Sequence, residues 1–316
     1  MSKRFAWSTA IVCFALLTAP FSSAGDVKIT KADRKLRIEV DGQFFADYFY
    51  EGYSRPFLYP LIGPNGAKMT RNWPITEAEN EERDHPHHKS LWWAHGDMNG
   101  VDFWAEGKDS GKTVHQEFTA IGSGKVGVIK SRNNYVAKDG KTVCTDERTL
   151  RIYPGSNGRT FDFEITLHAG KDGLTFGDTK EGTMSMRLAE TMRLKGKVGK
   201  GHIVNSEGVR DGDTWGKRAK WVDYYGPVDD KTVGVAIFDH PSNPRHPTWW
   251  HVRDYGLFGA NPFGLHDFEK KEKGAGDLKV NPGEKITFKY RFYIHSGDEK
   301  EAKVSEEFDR YVKESK

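Results

Sequence analysis

Across 316 residues, 48 Lys and Arg stand against 45 Asp and Glu, a net charge of +3 with the two signs interspersed. That balance, with no basic stripe, excludes nucleic-acid binding of the ordinary electrostatic kind. Two cysteines, one of them in the N-terminal apolar run, exclude a disulfide framework.

The chain opens with Lys3-Arg4, the apolar run AWSTAIVCFALL and the small-residue segment TAPFSSA. A positive start, a short apolar stretch and Ser22 and Ala24 at its end predict a secretory signal over residues 1–24, cleaved after Ala24. Cys13 lacks a lipoprotein-like context. Cleavage removes Lys3, Arg4 and no acidic residue, so the charge falls from +3 to +1. No other segment approaches ~18 consecutive apolar residues, so the mature chain has no membrane span and is expected in the periplasm or outside the cell. Residues 25–316 are expected to form a single β domain, since no linker or low-complexity stretch divides them.

The period along that chain is mostly two. LRIEV-DG-QFFADYFY (36–50) reads as strand, Asp-Gly turn, strand. RPFLYPLIGPNGAKMTRNWP (55–74) carries Thr70-Arg71 toward the densest stretch, RDHPHHKSLWWAHGDMNGVDFW (83–104). Its 22 positions hold four His, three Trp, three Asp and one Asn, a mixture that neither a core nor a plain surface favours.

An extended 85–88 would put His85 and His87 on one face and His88 on the other. His85 and His87 are then the start of a metal site, with His95 and Asp97 nearest as a third ligand. A satisfied structural loop and an organic-ligand site are the other two readings. Pro86 excludes a central strand. Trp92 and Trp93 must diverge, one to the core. Trp93 is a candidate to stack on a sugar ring, with His95, Asp97 and Asn99 as hydroxyl-binding groups.

Further on, 141–169 repeats the strand-turn-strand plan, and Cys144 within it is expected as buried filler. GDTKEGTMSMRLAE (177–190) places Asp178, Lys180 and Glu181 before a strand, and VGVAIF (233–238) is a strand. FDHPSNPRHPTWWHVRDYGLFGANPFGLHDF (238–268) echoes the dense stretch, with Asp-His-Pro and then Trp-Trp-His. On a strand, His251 and Arg253 share a face and Asp254 takes the other. Asn261-Pro-Phe-Gly264 reads as a tight turn. KITFKYRFYIH (285–295) is a last strand. The tail EKEAKVSEEFDRYVKES is a helix with Val304, Phe308, Tyr311 and Val312 in one stripe. These elements predict an all-β chain, a large antiparallel β-sandwich with a short C-terminal helix.

RPFLYPLIGPNGAKMTRNWP, DHPHHKSLWWAHGDMNGVDFW, DTKEG and WWHVRDYGLFGANPFG, in that order, resemble a secreted bacterial family labelled methane oxygenase PmoA-like, over nearly all of the mature chain. The resemblance implies a galactose-mutarotase-like supersandwich and, from the polysaccharide-degrading bacteria that carry the family, carbohydrate chemistry. The label itself names a multi-helix membrane protein, which this chain does not match.

On a mutarotase-like sheet a histidine acid and a carboxylate base act on a sugar, and the resemblance offers no residue-by-residue match to that pair. By chemistry alone, His88 and His251 are the candidate acid and base, with Asp254 orienting one of them and Glu181 as a further carboxylate. Arg71, Trp93, His95, Asp97, Asn99, Arg253 and Asn261 are the candidate substrate-binding residues. Stretches 84–99 and 251–266 are expected to line one cleft, with Arg71 and Glu181 at its edge.

The function expected is an epimerase, lyase or hydrolase acting on a sugar or oligosaccharide. The alternatives are a non-catalytic carbohydrate-binding protein and a His-ligated metal enzyme of oxygenase type. The sequence requires no cofactor, admits a divalent metal, and leaves the oligomeric state open.

Overall fold

The computed structural model describes residues 25–155 and 158–314. The signal segment expected at 1–24 lies outside the described residues. Alternation of side chains dictates the architecture: among the described residues there are eighteen strands, every pairing antiparallel, and two sheets of eight strands each.

The first sheet runs, in spatial order, Val27–Ala32, Lys35–Val40, Gln43–Phe49, Phe57–Tyr59, Leu91–His95, Gly182–Arg187, Leu257–Asn261 and Trp249–Val252. The second runs His202–Asn205, Trp221–Val228, Lys231–Asp239, Lys285–Ser296, Gly158–Ala169, Thr142–Tyr153, Gly127–Val136 and Lys112–Gly122. A two-stranded ribbon pairs Leu174–Phe176 with Leu278–Val280.

The strands expected at 36–50, 141–169, 233–238 and 285–295 are present. Asp41 and Gly42 both take positive φ, 54° and 74°, as a two-residue turn between twisted strands requires. The two sheets face each other across one apolar core. Phe45 of the first meets Phe161 of the second at 5.9 Å between ring centroids, and Tyr224 meets Phe258 at 6.0 Å. This is the sandwich expected.

The helix Val304–Glu314 lays Val304, Phe308 and Tyr311 on Trp221 and Phe238, outside the main core. Among the described residues no helix is long and apolar enough to cross a membrane.

Four strands of the first sheet set the stage for the site. Leu91–His95, Gly182–Arg187, Leu257–Asn261 and Trp249–Val252 are buried along their whole length, so both of their faces are covered. Directly paired residues share a face. Trp93, Met184, Ala260 and Trp250 pair in a row that points into the core. The neighbouring row, Trp92, Ser185, Gly259 and His251, points outward. Gly259 leaves no room for a side chain there, because a Cβ would lie 2.2 Å from the Ser185 hydroxyl.

Candidate functional site

The outward row is roofed by the loop that precedes Leu91. Residues 85–88 form a turn rather than an extended segment: Pro86 and His87 occupy its centre, and the His88 N–H donates to the His85 carbonyl at 3.0 Å. Proline at the second position of a turn fixes its φ and explains the departure from the expected alternation. The consequence is that His85, His87 and His88 do not split between two faces. Their rings gather, with centroids 4.5–5.8 Å apart.

Two arginines grip this turn from below. Arg71 and Arg187 are fully buried, and both donate to Asp84 Oδ1, Arg187 at 2.7 Å. Arg71 also donates to the carbonyls of Asp84 and His85 at 3.1 and 3.2 Å. The other oxygen of Asp84 lies 2.8 Å from His85 Nδ1. Burial alone would raise the Asp84 carboxyl, but the hydrogen bond from His85 and the two guanidinium groups outweigh it and hold the group well below the usual carboxylate range. Asp84 is therefore an anion that takes the His85 Nδ1 proton as a hydrogen bond.

Rings stack above the grip in a column. Tyr255 lies on His85 at 5.1 Å and 8° between planes, His85 on His88 at 4.7 Å and 8°, and His88 on Trp92 at 5.3 Å and 23°. His88 sits inside the column, and Arg187 donates to its Nδ1 at 3.1 Å. A guanidinium can only donate, so Nδ1 is the lone-pair nitrogen and the proton is on Nε2. Burial first, then the surrounding His87 and Arg187, push His88 far below the ordinary imidazole range.

Beside the column opens a cleft of about 400 Å³, walled by the three histidines, Asp102 and Trp104 on one side. Lys180, Glu181, His251, Arg253 and Tyr255 complete the wall. His251 projects from the outward row of the sheet. Its Nδ1 lies 2.7 Å from the Lys180 carbonyl and must donate to it, so Nε2 carries the lone pair, and that atom is buried without a partner. Burial, with Arg253 and Lys180 nearby, holds His251 down at about 3. Burial and Arg55 hold His87 down at about 4. His88 and His251 thus stand in opposite tautomers, both neutral near pH 7.

The Lys180-Glu181 loop is tied to the sheet by Asn261, whose amide donates to the carbonyls of Thr179 and Lys180 at 3.0 and 2.9 Å. Lys180 and Glu181 pair with each other at 3.2 Å.

The two dense stretches of sequence therefore meet at one place, joined through the pairing of Gly182–Arg187 with both neighbours. His85, His87, His88, His251, Arg253 and Glu181 line the cleft. Other expected site residues lie elsewhere. Trp93 is wholly buried against Tyr135 and Phe288, because the core row claims it, and it stacks on nothing in the cleft. His95 shares Trp93's face by alternation, so it also points inward, between Phe176 and Phe263, with Nε2 on the Gly177 carbonyl at 2.8 Å.

Asp97 closes its own turn by accepting the Gly100 N–H, and Asn99 brackets the strand Leu174–Phe176 through Thr175 and Gly173. Asp254 follows the strand end at Val252, in the hairpin turn, and pairs with Lys195 at 3.2 Å. It orients neither histidine. Arg71 and Asn261 are fully buried and hold loops rather than facing the cleft.

Three site residues are not singled out by the sequence. Asp84, which the sequence marks only as the start of the stretch 84–99, is the orienting carboxylate. Arg187 becomes legible as an outward residue two positions from Ser185 once the strand register is known. Tyr255, in the hairpin turn after Arg253, carries no signal. As for metal, among the described residues no three His, Cys, Asp or Glu side chains are placed to hold an ion. His85 and His87 stand nearly perpendicular, 72° between planes, with the Nδ1 of His85 engaged by Asp84.

A family profile described as a family of unknown function, DUF6807, matches residues 35–309. That description names no activity, so the methane oxygenase label is not carried to this chain. No curated protein matches the sequence. Among solved structures, a galactose mutarotase related enzyme from Lactobacillus acidophilus is similar at 10% identity and a TM-score of 0.30, over 85% of this chain and 97% of that one. A 4-alpha-glucanotransferase from Thermococcus litoralis is similar at 12% identity and a TM-score of 0.30, over 86% of this chain and 39% of that one. Likeness at that level assigns neither substrate nor residue roles here. The profile spans most of the sequence, and by it the chain belongs to the DUF6807 family of unknown function.

Proposed function

We propose that the cleft takes a sugar or short glycan fragment and performs acid–base chemistry on it, with His85 moving the proton. The observation that carries this reading is the Asp84–His85 pair: a carboxylate fixed by two buried arginines holds Nδ1 of a cleft-lining imidazole at 2.8 Å. The ring's Nε2 is then the nitrogen left for a substrate, as a base when bare and as an acid when protonated. His85 is also the least buried of the three clustered histidines, 40% exposed at its side chain. Its backbone φ of +46° is a conformation side chains seldom adopt, and Arg71 and the His88 N–H hold it there through the His85 carbonyl.

The other groups fit hydroxyl-rich substrates. Neutral His251 offers an acceptor and neutral His88 a donor by tautomer, and Tyr255 and Trp104 line the same cleft. In this reading Glu181, which lines the cleft and pairs with Lys180, is the second proton-transfer group. Export to the periplasm or beyond belongs to the same proposal, since such fragments are met there.

The test is turnover on a panel of neutral mono- and disaccharides, 3-keto-sugars and uronic acids, comparing the unchanged protein with His85→Gln. A positioned acid–base group contributes ~10²–10⁴-fold, and His85→Gln is expected to lose that much with its fold intact. Full turnover in His85→Gln would remove His85 from the chemistry. Binding without turnover in the unchanged protein would leave a carbohydrate-binding protein.

A further inference from the structure

We infer that the ligand of this cleft carries a negative charge, a sugar bearing a carboxylate, and that Arg253 seats it. The inference rests on the sugar reading above and names the class of sugar. Most other charges around the cleft are already answered. Lys180 is met by Glu181 at 3.2 Å and by Asp267 at 3.9 Å. Arg71 and Arg187 share Asp84. Arg55, beneath Trp104, pairs with Glu106 and donates to the carbonyls of Trp104 and His87. Of the carboxylates, Asp102 engages one oxygen with the N–H groups of Trp104 and Ala105.

Arg253 is different. Among the described residues it has no ion pair and no side-chain hydrogen bond. Its guanidinium is positioned instead by two rings, 5.4 Å from the centroid of Tyr255 and 5.7 Å from that of Trp215. Cation–π contacts fix the plane of a guanidinium without consuming its N–H donors. The result is a pre-oriented fork at the cleft wall with its donors free, the geometry that planar carboxylates accept two bonds from. Tyr255 is also the ring on which His85 stacks, and Arg253 and His85 line the same cleft.

The field agrees with this geometry. Arg55, Arg187, Arg71, Arg253 and Lys180 each help to keep a cleft imidazole unprotonated. Burial is the larger cause for each of these rings, and the cations add to it. A uronic acid supplies a carboxylate for Arg253 and hydroxyls for His251 and Glu181.

Calorimetric titration of the unchanged protein and of Arg253→Gln separates the possibilities, using glucuronate, galacturonate, glucose, galactose and acetate as probes. Both uronates, or one of them, are expected to bind at least about ten-fold more tightly than the parent sugar, and Arg253→Gln is expected to erase most of that ratio, as loss of a charge-assisted hydrogen bond implies. Equal binding of uronates and parent sugars overturns the anion inference and leaves the sugar reading intact. Acetate binding as tightly as the uronates keeps the anion seat and overturns the sugar reading. No binding of either uronate at millimolar concentration overturns the inference outright. A uronate preference that survives in a folded Arg253→Gln, judged by its melting temperature, moves the seat to another residue.

Discussion

Arg187 donates to His88 Nδ1 at 3.1 Å, and that single hydrogen bond decides what His88 can do. An imidazole that accepts from a guanidinium cannot be protonated at that nitrogen, so His88 is a fixed donor through Nε2 and not a titrating acid. In nitrogen-labelled protein, His88 is expected to stay in the neutral Nε2–H form throughout the range in which ordinary histidines titrate. Arg187→Gln should move its titration upward. A His88 that protonates near pH 6 in the unchanged protein would show that the bond is not maintained in solution.

The same arginine holds Asp84, whose other partners are Arg71 and His85. Removing one side of a buried charge pair typically costs about 3–5 kcal/mol. Asp84 is partly open to water, with 30% of its side chain exposed, so Arg187→Gln is expected near the lower end, about 3 kcal/mol in chemical denaturation. A loss under 1 kcal/mol would mean that Arg71 alone suffices to anchor the turn.

Stability should fall with acid before most carboxylates titrate. His87 and His95 are held down at about 4, and His251 at about 3, in each case chiefly by burial. Unfolding restores them to ~6.5, so the unfolded chain binds more protons below that pH. Their contribution is complete above pH ~6.5 and is lost as pH falls through 6 toward 4 and then 3. Asp84, also lowered, adds to the loss below about pH 4.

His295, raised by Asp223 against the effect of burial, works in the opposite sense: its contribution is present below ~6.5 and fades as pH rises through its folded value. His88, His115 and His240 are lowered as well, so the lowered histidines outweigh His295 and predict a melting temperature that declines steadily from pH 6.5 to 4. A His95→Gln variant should show a shallower decline. A flat profile over that interval would contradict the assignment of these rings as neutral.

Gly182 sits opposite His95 in the strand pair, and a Cβ there would lie 2.6 Å from His95 Nδ1. The ring has nowhere to retreat, being packed on Phe263 at 4.7 Å and bonded to the Gly177 carbonyl. Gly182→Ala is expected to cost about 1–3 kcal/mol by overpacking, and to disturb Lys180 and Glu181 just before it. Gly212→Ala, with nothing within 4 Å of its Cβ, is the control and should change stability by less than about 0.5 kcal/mol. Equal melting temperatures for the two variants would refute the packing argument.

The tail helix caps an outer face of the second sheet, with Phe308 edge-on to Phe238 at 5.7 Å. Phe308→Ala should destabilise by about 3 kcal/mol, and truncation from Glu299 by more, since Val304 and Tyr311 leave with it. An unchanged midpoint in either variant would show that the helix is not part of the cooperative unit.

Local pattern carried a large part of this architecture. Period-two alternation marked the strands at 36–50, 141–169, 233–238 and 285–295, the Asp41-Gly42 pair marked its hairpin, and the stripe of Val304, Phe308 and Tyr311 marked the helix. Composition alone marked the two stretches that meet at the cleft, because so many His, Asp and Trp are costly to place anywhere else. Even the inward turn of His95 was implicit in its spacing from Trp93, once Trp93 is known to face the core.

What tertiary structure decided was which face each strand buries and which long-range partner each polar atom finds. Pairing of Leu91–His95 with Gly182–Arg187 brought Arg187 under Asp84 and His88, over a separation of about a hundred residues that no local period encodes. The turn at Pro86 gathered three histidines that alternation would have separated, and the end of a strand at Val252 sent Asp254 to Lys195 instead of to a histidine. Tautomer and charge follow from those contacts. A side chain's type sets what it can donate or accept, while its neighbours in space determine which of those capacities is left for a ligand.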